Sequence, residues 1–198
     1  MHATRLFAAI LLLIGSAAPS FAGWQDSITS YDRQRLAVLD QARTLGLSAV
    51  DAGASPIDRN AAHGVLDAVA GPISAQQLSG NWRCRLMKLG GLEPAIVYTW
   101  HACRFTSTPK GLFFEKLSGT QRFSGYADAD GARMILLAAT SVRDEKQRSY
   151  SGGGEGFGAR ATPNDHVGAI SSIGARRARI EFPYPVIESL FDVIELQR

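Results

Sequence analysis

The 198-residue chain is poor in the groups on which most catalytic and metal chemistry depends. It has two cysteines, Cys84 and Cys103, and they do not form a CxxC pair. A zinc site takes three or four ligands at suitable spacing, so the cysteines alone do not make one. GxSxG, HExxH and P-loop motifs are absent, which removes the hydrolase and nucleotide readings that rest on them. No βαβ alternation and no internal repeat occurs, and after residue 22 no apolar stretch approaches membrane length. Charge of one sign is scarce as well. The formal charge is +3, or +2 without Arg5, which is no nucleic-acid footprint.

What is present begins at the amino terminus. Met1–Ala22 has the pattern of a secretory signal peptide: a short basic start (His2, Arg5), the apolar run Leu6–Ile14, and Ser20-Phe21-Ala22 before a cut at Gly23. Position 23 is not Cys, so the lipid-attachment residue of a lipoprotein is missing. The expectation is a soluble periplasmic protein with no transmembrane anchor and no nucleic-acid partner. Removing the leader leaves 176 residues, the size of one domain with a helical appendage. In an exported chain, two cysteines read most simply as a disulfide. The alternative is a Cys/His metal site that includes His101.

The mature chain divides near residue 78. Residues 23–77 carry helical signals. Thr29 and Asp32 form an approximate capping box ahead of Tyr31, Leu36, Leu39, Ala42 and Leu45 at helical spacing, with Gly46 as the stop. Ser55, Pro56 and Asp58 open a second helix, with Ile57, Ala61, Val65 and Ala68 on one stripe and Gly71-Pro72 as its end. From 78 to 198 the period changes to two. Trp82, Cys84 and Leu86 alternate with Arg83, Arg85 and Met87. A long strand is expected over 95–105, with Val97, Thr99, His101, Cys103 and Phe105 on one side. A hairpin of these two strands brings the cysteines onto neighbours. Further strands are expected over 112–117, 121–127, 133–139, 167–173, 178–182 and 190–196. The strand over 133–139 is apolar on both faces, as for one covered on both sides. About eight strands at hairpin spacing suit a small antiparallel barrel or a sandwich.

Among the motifs, Gly154–Ala159 matches GxGxxA but lacks the preceding strand and following helix that a dinucleotide site needs. It reads as a loop, and no cofactor is expected. Asp165-His166 is an adjacent acid and imidazole, but neighbours on an extended chain face opposite ways. The candidate ligand contacts are Trp82, Trp100, Arg104, Arg122 and Arg179, aromatic or cationic groups on the strands. The competing reading places the arginines on a solvated face beside Asp and Glu, and the tryptophans in the core.

Leu78-Ser79-Gly80-Asn81-Trp82 resembles the GxW element that opens calycin barrels such as lipocalins. In those barrels an Arg from a late strand backs the Trp, which the resemblance assigns here to Arg177 or Arg179. Over most of the mature chain, Gly80–Arg85, Tyr98, Cys103-Arg104, Gly119–Gly125, Pro183-Tyr184-Pro185 and Glu195-Leu196 resemble a family of exported proteobacterial proteins, domain of unknown function 4893. That resemblance implies an envelope location and one continuous unit, and it implies no activity, ligand or catalytic residue.

The resulting expectation is an α+β protein, with N-terminal helices packed on a small calycin-like antiparallel β-barrel of about eight strands stapled by Cys84–Cys103. The expected function is non-enzymatic binding of a small apolar or amphipathic ligand in the barrel mouth. The alternative is a protein-interaction module, such as an inhibitor of an exported hydrolase or an envelope scaffold.

Overall fold

The strands close on themselves. In the computed structural model, which describes residues 23–151 and 162–198, β1 (Gly80–Leu89) pairs on one edge with β3 (His101–Thr108) and on the other with β9 (Phe191–Gln197). Between them run β4 (Gly111–Lys116), β5 (Gln121–Asp130), β6 (Arg133–Val142), β7 (Asp165–Gly174) and β8 (Arg177–Pro183), each antiparallel to its neighbours. The result is a closed eight-stranded up-and-down barrel, which leaves no long free edge. The short β2 (Ala95–Val97) continues β3 along β1. Residues 1–22, read above as a leader, and the GxGxxA motif, 154–159, lie outside the described residues.

The expected single strand over 95–105 is two strands. Met87 pairs with Val97, but Cys84 pairs with His101, so the register slips by one residue between them. A bulge of this kind flips the facing of the residues beyond it. Val97 therefore packs outward with the helical layer, while His101, Cys103 and Phe105 point into the barrel. Cys84 and Cys103 form the expected disulfide, with Cα atoms 5.8 Å apart and both residues in the barrel core.

Two apolar layers share the strands. The inward rows, including Phe105, Phe114, Leu136, Ile170, Ile180 and Ile194, fill the barrel interior. The outward rows Met87, Leu89, Ile135, Leu137, Val167 and Val193 pack under the helices. Strand β6 serves both layers, which explains its unbroken apolar run.

Among the described residues five helices precede the barrel: α1 (Trp24–Ser27), α2 (Ser30–Ala37), α3 (Leu39–Gly53), α4 (Pro56–Leu66) and α5 (Ala75–Leu78). The Thr29 hydroxyl accepts the Asp32 N–H and the Ser55 hydroxyl accepts the Asp58 N–H, as the capping signals indicated. Gly46 does not stop a helix. It lies inside α3, where an added Cβ would stand 2.9 Å from Phe191 Cβ, so it is a point of close approach between helix and barrel. Leu45 and Ile57, expected on buried stripes, are exposed. Helix α4 ends at Leu66, before Gly71-Pro72, because Arg179 takes its last carbonyls. The guanidinium donates to Val65, Leu66 and Ala68 oxygens at 2.9–3.1 Å and to Glu181 Oε2 at 2.9 Å. Glu181 also accepts from Arg43 of α3. A second buried pair, Arg35–Asp32, ties α2 to the carbonyls of Tyr184 and Asp165 and, through Asp32, to the Tyr150 hydroxyl. These charges are costly to bury, and each is matched by hydrogen bonds, the condition under which such pairs are tolerated.

Candidate binding site at the open end of the barrel

One end of the barrel is shut. Helix α5, fixed by a Ser74/Gln77 capping box, lays Leu78 across it, and the Trp82 indole donates to the Leu78 oxygen at 2.6 Å. The Arg198 guanidinium stacks over the Trp82 ring at 4.1 Å and donates to the Leu78 and Ser79 carbonyls. The arginine that backs this tryptophan is therefore Arg198, not Arg177 or Arg179. Those two stand at outward positions of β8, whereas Arg198 comes directly after β9 at the closed end.

The other end is open and polar. Along β1 the inward row runs Trp82, Cys84, Leu86, Lys88. Along β4 it runs Leu112, Phe114, Lys116, and along β9, in the opposite direction, Leu196, Ile194, Asp192. Cross-strand register puts Lys88 opposite Asp192, Thr140 opposite Phe123, and His101 opposite Cys84. Gln121 on β5 lies opposite Val142, and His166 on β7 opposite Ala138. Six of the eight barrel strands thus end their inward rows in a polar side chain at this end; β6 ends in Val142, one residue pair beyond Thr140, and β8 in Phe182.

This collar surrounds two cavities, of about 540 Å³ and 220 Å³, which share Lys88, Gln121, Val142 and Glu188. The larger holds His101 and Lys116, and the smaller holds Thr140, His166 and Asp192. Glu188 pairs with Lys88 between them. Its loop is held by Gly91, which has φ +97° and a virtual Cβ position only 2.3 Å from the Glu188 oxygen, so no side chain fits there. Described parts of the long β6–β7 connection, Glu145, Arg148 and Asn164, border the smaller cavity.

The electrostatics arise from burial. His166 sits against the rings of Phe123 and Phe182, and desolvation, aided by Arg35 and Lys88, pushes its pKa down to about 3. Burial pushes Asp192 up to about 7, even though the Ser189 hydroxyl donates to it at 2.6 Å and Lys88 is near. Burial lowers Lys116 to about 8, and Arg122 adds to the effect. It also lowers His101, helped by Lys116 and Arg122. Burial opposes the charge on Lys88, but Glu188 and Asp192 outweigh it and hold the pKa above its usual value. His166 and Asp192 line one cavity, yet no hydrogen bond joins them among the described residues. An imidazole neutral down to pH 3 is also a weak base at neutrality. Asp165 faces the other way, toward Ser151.

None of the five candidate ligand contacts lines either mouth cavity, although His101 and His166, noted for other reasons, do. Arg122 stands on the outward row of β5, near enough to act on Lys116 and His101 by its charge. Trp82 is at the closed end. Trp100 lies on the outer wall between the guanidiniums of Arg83 and Arg85, at 4.9 and 4.7 Å. Arg104 pairs with Glu115 on the same wall, and Arg179 caps α4. The structure does not bring these five together. Lys88, Lys116, Gln121, Thr140 and Asp192 were not singled out, although the inward rows of the strands carry the signal. Among the described residues no group of three or more His, Cys, Asp or Glu is placed to hold a metal, and no helix is long and apolar enough to cross a membrane.

A search of curated proteins finds no match. The family model described as Domain of unknown function (DUF4893) matches residues 24–196, from the start of α1 to the penultimate residue of β9, and the chain belongs to that family.

Proposed function

We propose that this is an exported periplasmic binding protein, cut after Ala22, that holds a small amphipathic ligand at the open mouth of its barrel without catalysing a reaction on it. The observation that carries this reading is the change along the inward rows: apolar and packed through the middle, polar around open space at one end. Phe105, Phe114 and Leu136 occupy the interior, so a wholly apolar guest has no room in the barrel. An amphipathic guest can set its polar end among the collar and its apolar end against Leu86, Tyr98 and Val142 of the larger cavity. The single disulfide suits an oxidising compartment.

Native mass spectrometry of protein purified from the periplasm tests this. The expected result is an adduct of one small molecule that is absent when Val142→Trp narrows the mouth. The bare mass alone, with no rise in melting temperature on adding short-chain amphipaths, overturns it.

A second reading is favoured by the filled interior together with Tyr98, Leu117, Val142 and Ile187, which are exposed apolar residues. These would serve an interaction module in which an envelope protein or exported hydrolase covers the mouth. A stoichiometric complex broken by Ile187→Asp, with no small-molecule adduct, supports it over the first.

A further inference from the structure

We propose that Lys116 and His101 form an anion subsite in the larger mouth cavity, which takes the oxyanionic head of an amphipathic ligand. This rests on the binding reading and names the head group.

Lys116 and His101 come from neighbouring strands and converge above the β4–β5 turn. A Cβ placed on Gly119 of that turn would lie 2.7 Å from Lys116 Nζ and 2.8 Å from His101 Cε1, so the two basic groups flank one point. Lys116 Nζ donates to the carbonyls of Ser118 and Gln121, at 3.0 and 2.6 Å. Two carbonyls satisfy two of the three hydrogens of an ammonium. Among the described residues no carboxylate lies within ion-pair distance of Lys116. Lysines of this chain that point into a barrel need not be left so: Lys88, on the far wall of the same cavity, has Glu188.

The other groups around Lys116 make the local field more positive. Arg122 and Lys116 each disfavour charge on His101, and Arg122 disfavours it on Lys116. The remaining charged groups lining the cavity, Lys88 and Glu188, neutralise each other. His101 Nδ1 meets the Ser118 hydroxyl at 3.2 Å, and that hydroxyl already accepts the Ala102 N–H. Its proton is therefore free for Nδ1, which leaves Nε2 of a neutral ring as a donor. A bound oxyanion supplies the missing counter-charge, and its binding draws a proton onto Lys116 when the pH is near 8.

The test is isothermal calorimetry with octanoate, its neutral analogue octanamide, and acetate as the head alone. At pH 7 octanoate is expected to bind about tenfold or more tightly than octanamide, the worth of a charge-assisted hydrogen bond. That preference should shrink as pH rises from 7 to 9, with proton uptake visible as a buffer-dependent heat. Lys116→Met should abolish the preference while leaving octanamide binding as it was, and Lys116→Arg should restore it. Arg122→Gln should reduce it, which gives a reading independent of Lys116. Equal affinity for octanoate and octanamide, or an unchanged preference in Lys116→Met, overturns the subsite while the amphipath reading stands. Acetate binding as tightly as octanoate overturns the amphipath reading while the subsite stands. No binding of any of the three overturns both.

Discussion

Asp192 and His166, on inward rows that line the smaller cavity, should hide each other in the pH dependence of stability. Asp192 has its folded pKa raised to about 7, against about 3.9 when unfolded. Between those values the folded chain holds a proton that the unfolded chain has lost, so stability from Asp192 falls as pH rises. His166 has its folded pKa lowered to about 3, against about 6.5 unfolded. Between those values the unfolded chain holds the extra proton, so stability from His166 rises with pH. Each slope is about 1.4 kcal/mol per pH unit for one proton. The windows overlap from roughly pH 4 to pH 6.5, where the two slopes cancel in the native protein. Single substitutions should uncover them. The stability of Asp192→Asn minus that of the native protein should climb through this window by roughly 3 kcal/mol in all. The same difference for His166→Phe should descend by a similar amount. Urea unfolding at half-unit pH steps, followed by tryptophan fluorescence, measures both. Every other titrating group is common to variant and native protein and drops out of each difference. Two differences that stay flat across the window would show that neither group is held in its uncommon protonation state, and the electrostatic account of the mouth would fail.

Other consequences are simpler to reach. Arg179→Met leaves three carbonyls and the buried Glu181 carboxylate short of a donor, and should cost about 3–5 kcal/mol in urea unfolding; a cost below about 1 kcal/mol would mean that α4 is held by its apolar face alone. Arg198→Ala strips the cover from Trp82 and should lower stability by about 1–2 kcal/mol, with a red shift of the fluorescence. Replacing Cys84 and Cys103 together by Ala should cost about 3 kcal/mol, the worth of closing a loop of this length. Without reductant, the native protein should take up no alkylating reagent.

The barrel was legible because alternation is a local signal. Trp82, Cys84 and Leu86 share a face in the sequence and in the structure, and the doubly apolar stretch around Ile135 and Leu136 lies between the interior and the helices. The capping hydroxyls of Thr29 and Ser55 were equally local. What failed needed a partner distant in sequence. Gly46 looks like a helix stop until Phe191 is seen against it. The bulge at 98–100 has no residue signature and shows only as a slip in register against β1. The arginine over Trp82 comes from the residue just past β9, and no motif marks it. The mouth is an intermediate case. Each polar inward residue is ordinary on its own strand, and the collar appears only when strand direction is used to align the ends.

That collar bears on why the two ends differ. The same alternation closes one end with Leu78, Trp82 and Arg198, and at the other end it buries Lys88 and Asp192. Burying these groups lowers stability, since buried ionisable side chains are matched or exceeded by apolar side chains of similar volume. A sequence shaped by stability alone would repeat the apolar closure. The double variant Lys88→Met, Asp192→Leu carries that through on paired positions of β1 and β9. Glu188 would be left without its lysine, but it is half exposed and water can take over. The variant should equal or exceed the native protein in stability, by up to about 1–4 kcal/mol. It should also lose affinity for amphipathic ligands, the usual exchange at a functional site. Urea unfolding and calorimetry on one preparation decide it. A variant that is less stable and binds as before would make Lys88 and Asp192 part of the scaffold, and the polar end of the barrel would then need another explanation than ligand binding.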